Sequence, residues 1–152
     1  MTVVRDTDLG YKNLLRLMKQ KKVAADIGVF STSTRDGKSI AEYAAVNEYG
    51  KGKVPERSFM RSTFDEQEKN AFKVIGNALR INMLKGGFSI RKATGKGGAF
   101  MRTEIVKKIK TASSWATPNA PSTIRRKGKN QPLIDKGILW KAILWKIRPI
   151  GG

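Results

Sequence analysis

Apolar residues in the first third of the chain recur with two different periods. Near the N-terminus they follow helical spacing: Leu9, Leu14, Leu17 and Met18. This spacing predicts a helix over residues 8–22, and the alternation of apolar residues over 23–30 predicts a strand with one buried face. A polar loop is expected over 31–39. A short helix is predicted over 40–48, with Gly50 ending it.

The longest predicted helix covers residues 62–85. Pro55 forces an extended backbone ahead of it, so a loop separates it from the preceding helix. Thr63 and Glu66 fit a capping box at its start, in which each side chain accepts from a free N–H group. Gly76 lies inside this helix, where glycine costs about 1 kcal/mol relative to alanine. We therefore expect Gly76 to mark close packing.

The second half of the chain has weaker patterns. Residues 85–98 contain five glycines and four basic residues, which predicts a mobile loop. Residues 100–111 fit either a helix or an extended hairpin arm. Residues 113–132 contain three prolines and are expected to be irregular.

The chain is expected to end in a strand. A turn or short helix is predicted over 133–140, followed by a strand in which Ile143, Trp145 and Ile147 share one face. A helix over 135–147 fits the same residues nearly as well. Because no repeat or linker interrupts the chain, the sequence predicts one α+β domain over residues 1–152. It would contain a small, mostly antiparallel sheet packed against a long helix, with mobile basic loops.

Composition narrows the function classes. The chain has no histidine and no cysteine, which excludes histidine-dependent nucleophilic catalysis, thiol chemistry and ordinary transition-metal sites. No apolar run approaches the roughly 20 residues of a membrane-spanning helix. We expect a non-enzymatic protein without cofactor, metal or membrane association. A carboxylate-based glycosidase is the enzymatic alternative, with Glu42, Glu48 and Glu56 as its candidate acids.

Charge is unevenly distributed along the chain. The net charge is +19, and residues 69–152 contain 19 basic and only two acidic side chains. Such asymmetry favours a nucleic-acid or acidic protein partner, although it also fits a merely solubilising surface. The candidate contacts for DNA or an acidic partner are the basic residues of two glycine-containing segments: Lys85, Arg91, Lys92, Lys96, Arg125, Arg126, Lys127 and Lys129.

Three motifs occur in a fixed order: IAEYAAVNEYG at 40–50, VPERSFMRSTFDE at 54–66, and NAPSTIRRKGKNQPLIDKGILWKAILWKI at 119–147. In this order they resemble the small neck and tail-completion proteins of tailed bacteriophages, also described as virion morphogenesis proteins. Ser58 stands where that family usually has proline, and Lys136 where it usually has threonine.

The resemblance implies an α+β subunit of a ring, commonly a hexamer, at the head–tail junction or the tail end. The implied partners are further copies of the chain, neighbouring connector and tail proteins, and the DNA on the axis. The implied location is the virion, and the host cytoplasm during assembly. The alternative is a sequence-independent nucleic-acid-binding accessory protein, which explains the charge but not the motifs.

Within the motifs, six residues are candidates for a subunit or partner interface: Glu48, Tyr49, Arg57, Phe59, Arg61 and Asp135. Arginine and aromatic residues are favoured at interface centres. Each position also has a local explanation. The segment around Glu48 can be a helix end, Phe59 can pack in its own core with Arg57 as a solvated charge, and Asp135 can cap the following turn.

Overall fold

The computed structural model describes residues 11–30, 34–35, 38–85 and 89–150. Within these ranges, the helices and strands are α1 (Tyr11–Met18), β1 (Val23–Val29), β2 (Thr34–Arg35), β3 (Lys38–Ser39), α2 (Ile40–Tyr49), α3 (Arg61–Leu84), α4 (Ile90–Lys110), α5 (Ala112–Trp115), α6 (Pro121–Lys127), α7 (Ile138–Ala142) and β4 (Ile143–Pro149). The predicted α+β class is confirmed.

The main sheet pairs the first long strand with the last. β1 and β4 run antiparallel, and their register joins Val23 to Pro149 and Val29 to Ile143. The predicted final strand is therefore confirmed, and the alternative helix over 135–147 is wrong. β2 and β3 pair separately as a two-residue ladder within the segment that was expected to be a loop.

Helix α4 covers the sheet, and α3 packs against the outer side of α4. The prediction of a loop over 85–98 is therefore wrong from Ile90 onward. The glycines within α4 allow close approach to neighbouring elements. A Cβ atom on Gly98 would lie 3.1 Å from the Ala25 Cβ and 3.2 Å from the Trp145 ring, and one on Gly97 would lie 2.6 Å from Ile75. Helix α4 approaches the sheet and α3 closely because these positions lack side chains.

The remaining uncertain segments are also mostly helical. Residues 100–110 belong to α4 and Thr111 is its C-cap, so the helical alternative is correct and the hairpin arm is wrong. The segment 113–132 is not irregular throughout, because it includes α6. Pro121 occupies the first turn of that helix, where backbone N–H groups have no acceptor within the helix, so the missing N–H of proline costs no hydrogen bond. Gly128 ends the helix at φ 69°.

Gly76 is not a site of close packing. Its position in α3 is exposed, and a Cβ atom there would meet nothing within 4 Å. The expectation that this glycine marks a contact is wrong. The helix positions that do need glycine are those of α4, described above.

The hydrophobic core lies where α2, α4, α7 and the start of β4 meet. Its buried members are Ala44, Phe59, Ile105, Ile109, Ala112, Leu133, Leu139 and Ile143. They come from all three sequence motifs, from α4 and from the start of α5. The core therefore links the α2–α3 connection to the C-terminal segment.

Candidate interaction surfaces

The end of α2 is joined to the start of α3 by one carboxylate. Glu48 is only 3% exposed. Its Oε2 accepts the N–H groups of Phe59 and Met60, both at 2.9 Å, while its Oε1 accepts the N–H of Arg61 at 2.9 Å and the hydroxyl of Ser58 at 3.0 Å. A negative group bound to free N–H donors at a helix N-terminus is stabilised by hydrogen bonding and by the helix dipole.

Glu48 thus supplies the cap that the sequence assigned elsewhere. The predicted capping box is wrong, because the Thr63 hydroxyl donates to the Phe59 carbonyl one turn back, at 2.6 Å. Glu66 accepts from Lys108 of α4 at 2.5 Å. Both side chains therefore bond groups other than the N–H groups at the start of α3.

Arg57 is buried beside this cap and is held by neutral oxygens. Its Nε donates to the Thr117 carbonyl at 2.8 Å, its Nη2 to the Pro118 carbonyl at 3.1 Å, and its Nη1 to the amide oxygen of Asn47 at 3.1 Å. Burial lowers the pKa of Arg57, and the nearby Tyr43 partly offsets this effect. Arg57 therefore ties the end of α2 to the segment that precedes α6.

The six candidate interface residues divide by exposure. Phe59 is 0% exposed and lies in its own core, as the local explanation requires. Glu48 and Arg57 are also buried, so Arg57 is not a solvated charge. Tyr49 is 63% exposed, and the Arg61 guanidinium lies 4.7 Å from the centre of its ring. The Tyr49–Arg61 pair is therefore the part of this candidate set that faces outward.

Arg61 is fixed by two carboxylates. It donates to Glu56 at 2.6 Å and to Glu48 at 3.4 Å. The hydrogen bond to Glu56, followed by the other contacts with these two acids, raises the pKa of Arg61 against the opposing effect of desolvation. The charge of Arg61 is therefore balanced within the chain.

An open groove of about 570 Å³ lies between α2 and the first turns of α3. Its apolar lining includes Val29, Ala41, Ala45, Tyr49, Met60 and Phe64. Asp65 lines the same groove. The sequence does not reveal this site, because alanines and a phenylalanine at helical spacing have the pattern of ordinary core positions. Only the meeting of two helices makes them one surface.

The predicted basic contacts lie mainly on helices instead of mobile loops. Arg91, Lys92 and Lys96 are exposed in the first two turns of α4, and Lys85 is exposed at the end of α3. Positive side chains in the first turn of a helix are opposed by the helix dipole. An anionic partner would relieve that opposition.

The second basic group follows a different rule. Arg125 and Arg126 are exposed in the last turn of α6, where the helix dipole favours positive charge, and Lys129 is exposed just beyond. Lys127 is half-buried and donates to the Gln131 carbonyl at 2.7 Å. Its Nζ group is therefore already hydrogen-bonded within the chain.

Lys127 and Asp135 interact electrostatically. Burial lowers the pKa of Lys127, and the negative charge of Asp135 partly offsets this lowering. The N-cap position of α7 is occupied by Gly137, at φ 72°. Asp135 therefore contributes to the environment of a half-buried cation. Its capping of the following turn stays a prediction.

Comparison of the chain with protein-family models, with curated proteins and with solved structures finds no match. Among the described residues, no helix combines the length and the apolar character needed to cross a membrane.

Proposed function

We propose that the chain is a structural protein of a tailed-phage virion, which forms a ring at the head–tail junction or the tail end and acts through protein–protein assembly. The observation that supports this most is that the three motifs meet in space. Glu48 of the first motif caps the residues that follow Pro55 in the second. Phe59 packs in one core with Leu133 and Leu139 of the third. The third motif, far from the other two in sequence, thus packs with them in one unit.

This unit suits an assembly role because its outer side carries features for contact. The groove between α2 and α3 and the Tyr49–Arg61 pair lie directly on the buried Glu48 network. Pre-organised surfaces lose less entropy on binding than mobile ones. In a ring, repeated weak contacts add through avidity, so each one need not be strong. The resemblance implies six copies.

The large positive charge would regulate when assembly begins. A net charge of +19 makes free copies repel one another at low salt. An acidic neighbour or the DNA on the axis would neutralise part of that charge. We therefore expect a purified protein that is mainly monomeric at physiological salt and assembles on its template. A purified protein that is already a stable ring would contradict this mechanism.

Electron microscopy of the virion tests the proposal. The protein is labelled with a C-terminal tag, and two-dimensional class averages of particles and purified tails are compared with those of untagged particles. Extra density in a ring at the neck or tail end is expected, and its position distinguishes a connector from a terminator. Particles without label, together with tagged protein on DNA in infected-cell lysate, would overturn the proposal.

The second candidate function is sequence-independent binding of nucleic acid. It is favoured by the exposed Arg91, Lys92 and Lys96, which cluster at the N-terminal end of α4, where the helix dipole opposes positive charge. Phosphates bound there would be attracted by both the side chains and the helix end.

A matched pair of triple variants tests this second function. One changes Arg91, Lys92 and Lys96 to glutamine, and the other changes three exposed lysines elsewhere, Lys107, Lys110 and Lys141. If α4 presents a DNA site, the first variant loses more DNA affinity and more salt dependence than the second. Equal losses would mean that only total charge matters and would count against a DNA-binding function.

A further inference from the structure

Helix α1 presents apolar side chains to solvent. Leu14 is 41% exposed, Leu15 is 39% exposed and Met18 is 76% exposed. An exposed basic residue, Lys19, follows the helix directly. A short helix with apolar residues and positive charge matches a groove that is apolar and negatively charged.

The groove between α2 and α3 has that complementary character. Its apolar lining is flanked by exposed acids: Asp65 lies in it, Glu68 follows one turn later on α3, and Glu42 lies one turn before Ala45 on α2. Arg61, the basic residue in the lining, is already balanced by carboxylates. Within the part of the chain that the structure describes, these three acids form no ion pair, so the rim offers negative charge in an otherwise strongly basic protein.

Within one chain, α1 lies too far from the α2–α3 groove to occupy it. The side chain of Gln20, two residues after α1, accepts the N–H of Ile90 at 2.8 Å and holds the helix near the Val23 end of β1. The groove lies at the Val29 end, about 20 Å away at 3.3 Å per residue. The eight residues of α1 span only about 12 Å.

We propose that α1 of one copy docks in the α2–α3 groove of the next copy. The apolar residues of α1 would cover Ala41, Ala45 and Phe64, and Lys19 would face Glu42 and Asp65. Because donor and acceptor surfaces differ, the contact is head-to-tail, the type that closes into rings or extends into filaments. This inference deepens the proposed ring and rests on it for the biological setting, although the contact itself can be measured on the protein alone.

Cysteine crosslinking tests the contact directly, because the natural chain has no cysteine. Leu15→Cys and Ala45→Cys variants are purified, mixed at high concentration and mildly oxidised. Both positions are exposed, so the fold is expected to persist, and circular dichroism checks this. Docking would make the mixed dimer form on the order of tenfold faster than dimers of either variant alone, because it raises the effective thiol concentration. A chain carrying both cysteines would give a ladder of oligomers.

The matched control pairs Ala45→Cys with Leu144→Cys, whose 46% exposure on β4 is similar to that of Leu15. Crosslinking of this control as fast as the test pair would overturn the proposal, as would absence of a mixed dimer at the highest soluble concentration. The two proposals fail separately. If the crosslink is specific but the protein is absent from virions, only the proposed ring is contradicted. If the protein forms rings in virions but gives no crosslink, only the docking contact is contradicted.

Discussion

Asn47 and Arg57 are joined twice, once through the backbone and once through their side chains. The N–H of Arg57 donates to the Asn47 carbonyl at 2.7 Å, and its Nη1 donates to the Asn47 amide oxygen at 3.1 Å. The Asn47 amide nitrogen in turn donates to the Tyr43 carbonyl at 2.9 Å. The last turn of α2 therefore fixes the position of a buried cation, which then organises a distant segment of the chain.

Arg57→Lys is expected to destabilise the protein although it preserves the charge. An ammonium group cannot reach Thr117, Pro118 and Asn47 together, so buried carbonyl groups lose their donors. The expected loss is about 2–3 kcal/mol of unfolding free energy, measured by urea denaturation. Arg125→Lys at an exposed position is the control and should change stability by less than about 0.5 kcal/mol. Equal midpoints for both variants would contradict the role of Arg57.

Glu48→Gln is expected to weaken the start of α3. The substitution keeps the size of the side chain but replaces one acceptor oxygen with a donor that faces N–H groups. The expected loss is about 3 kcal/mol, with faster hydrogen exchange at the amides of Phe59, Met60 and Arg61. Glu56→Gln removes an exposed acid from the same region and serves as the control. Unchanged protection at the three amides would show that Glu48 is not the cap.

Two glycine substitutions in neighbouring helices should have opposite effects. Gly76→Ala adds a methyl group in open space and is expected to stabilise the protein by about 0.5–1 kcal/mol. Gly98→Ala forces the new methyl against Ala25 and Trp145, and it is expected to cost about 1–3 kcal/mol. Thermal unfolding of both variants checks the contrast. A stabilised Gly98→Ala protein would mean that α4 does not approach the sheet so closely.

Lys127 should make stability depend on alkaline pH. Burial lowers its pKa in the folded state, so charged Lys127 opposes folding at neutral pH. That penalty disappears as pH rises from the lowered pKa toward the ordinary value of 10.5, and stability gains accordingly. The unfolding free energy of the wild type should therefore rise over this range relative to that of Lys127→Met. Lys129→Met removes an exposed charge nearby, and an identical slope for that control would refute the assignment to Lys127.

Periodicity predicted the elements whose apolar residues face one neighbour. β1, α2, α3 and β4 all follow from the spacing of residues such as Val23, Ile40 and Ile143, because burial of one face imposes that spacing. Helix α4 was not predicted from the spacing, because glycine weakens an isolated helix. The advantage of its glycines is the close packing that they allow against Trp145 and Ile75. Tertiary packing overrode local propensity there.

The functional surfaces were less accessible to sequence reasoning. The predicted capping box pairs Thr63 and Glu66, which lie three residues apart on one helix. The actual cap is Glu48, on the other side of the loop that contains Pro55. Phe59 and Arg57 have the composition of an interface but lie inside the chain. The groove requires the relative placement of α2 and α3, which no spacing along the chain specifies.

The pairing of Val23 with Pro149 also has a consequence for biosynthesis. In the part of the chain that the structure describes, β4 is the partner of β1, so β1 leaves the ribosome well before its partner strand has been translated. Closing a loop of nearly the whole chain makes this a slow, late step of folding. A nascent or truncated chain without β4 leaves the sheet-facing side of α4 partly uncovered, which favours aggregation or proteolysis. The order of the strands thus leaves an incomplete chain less protected than a complete one.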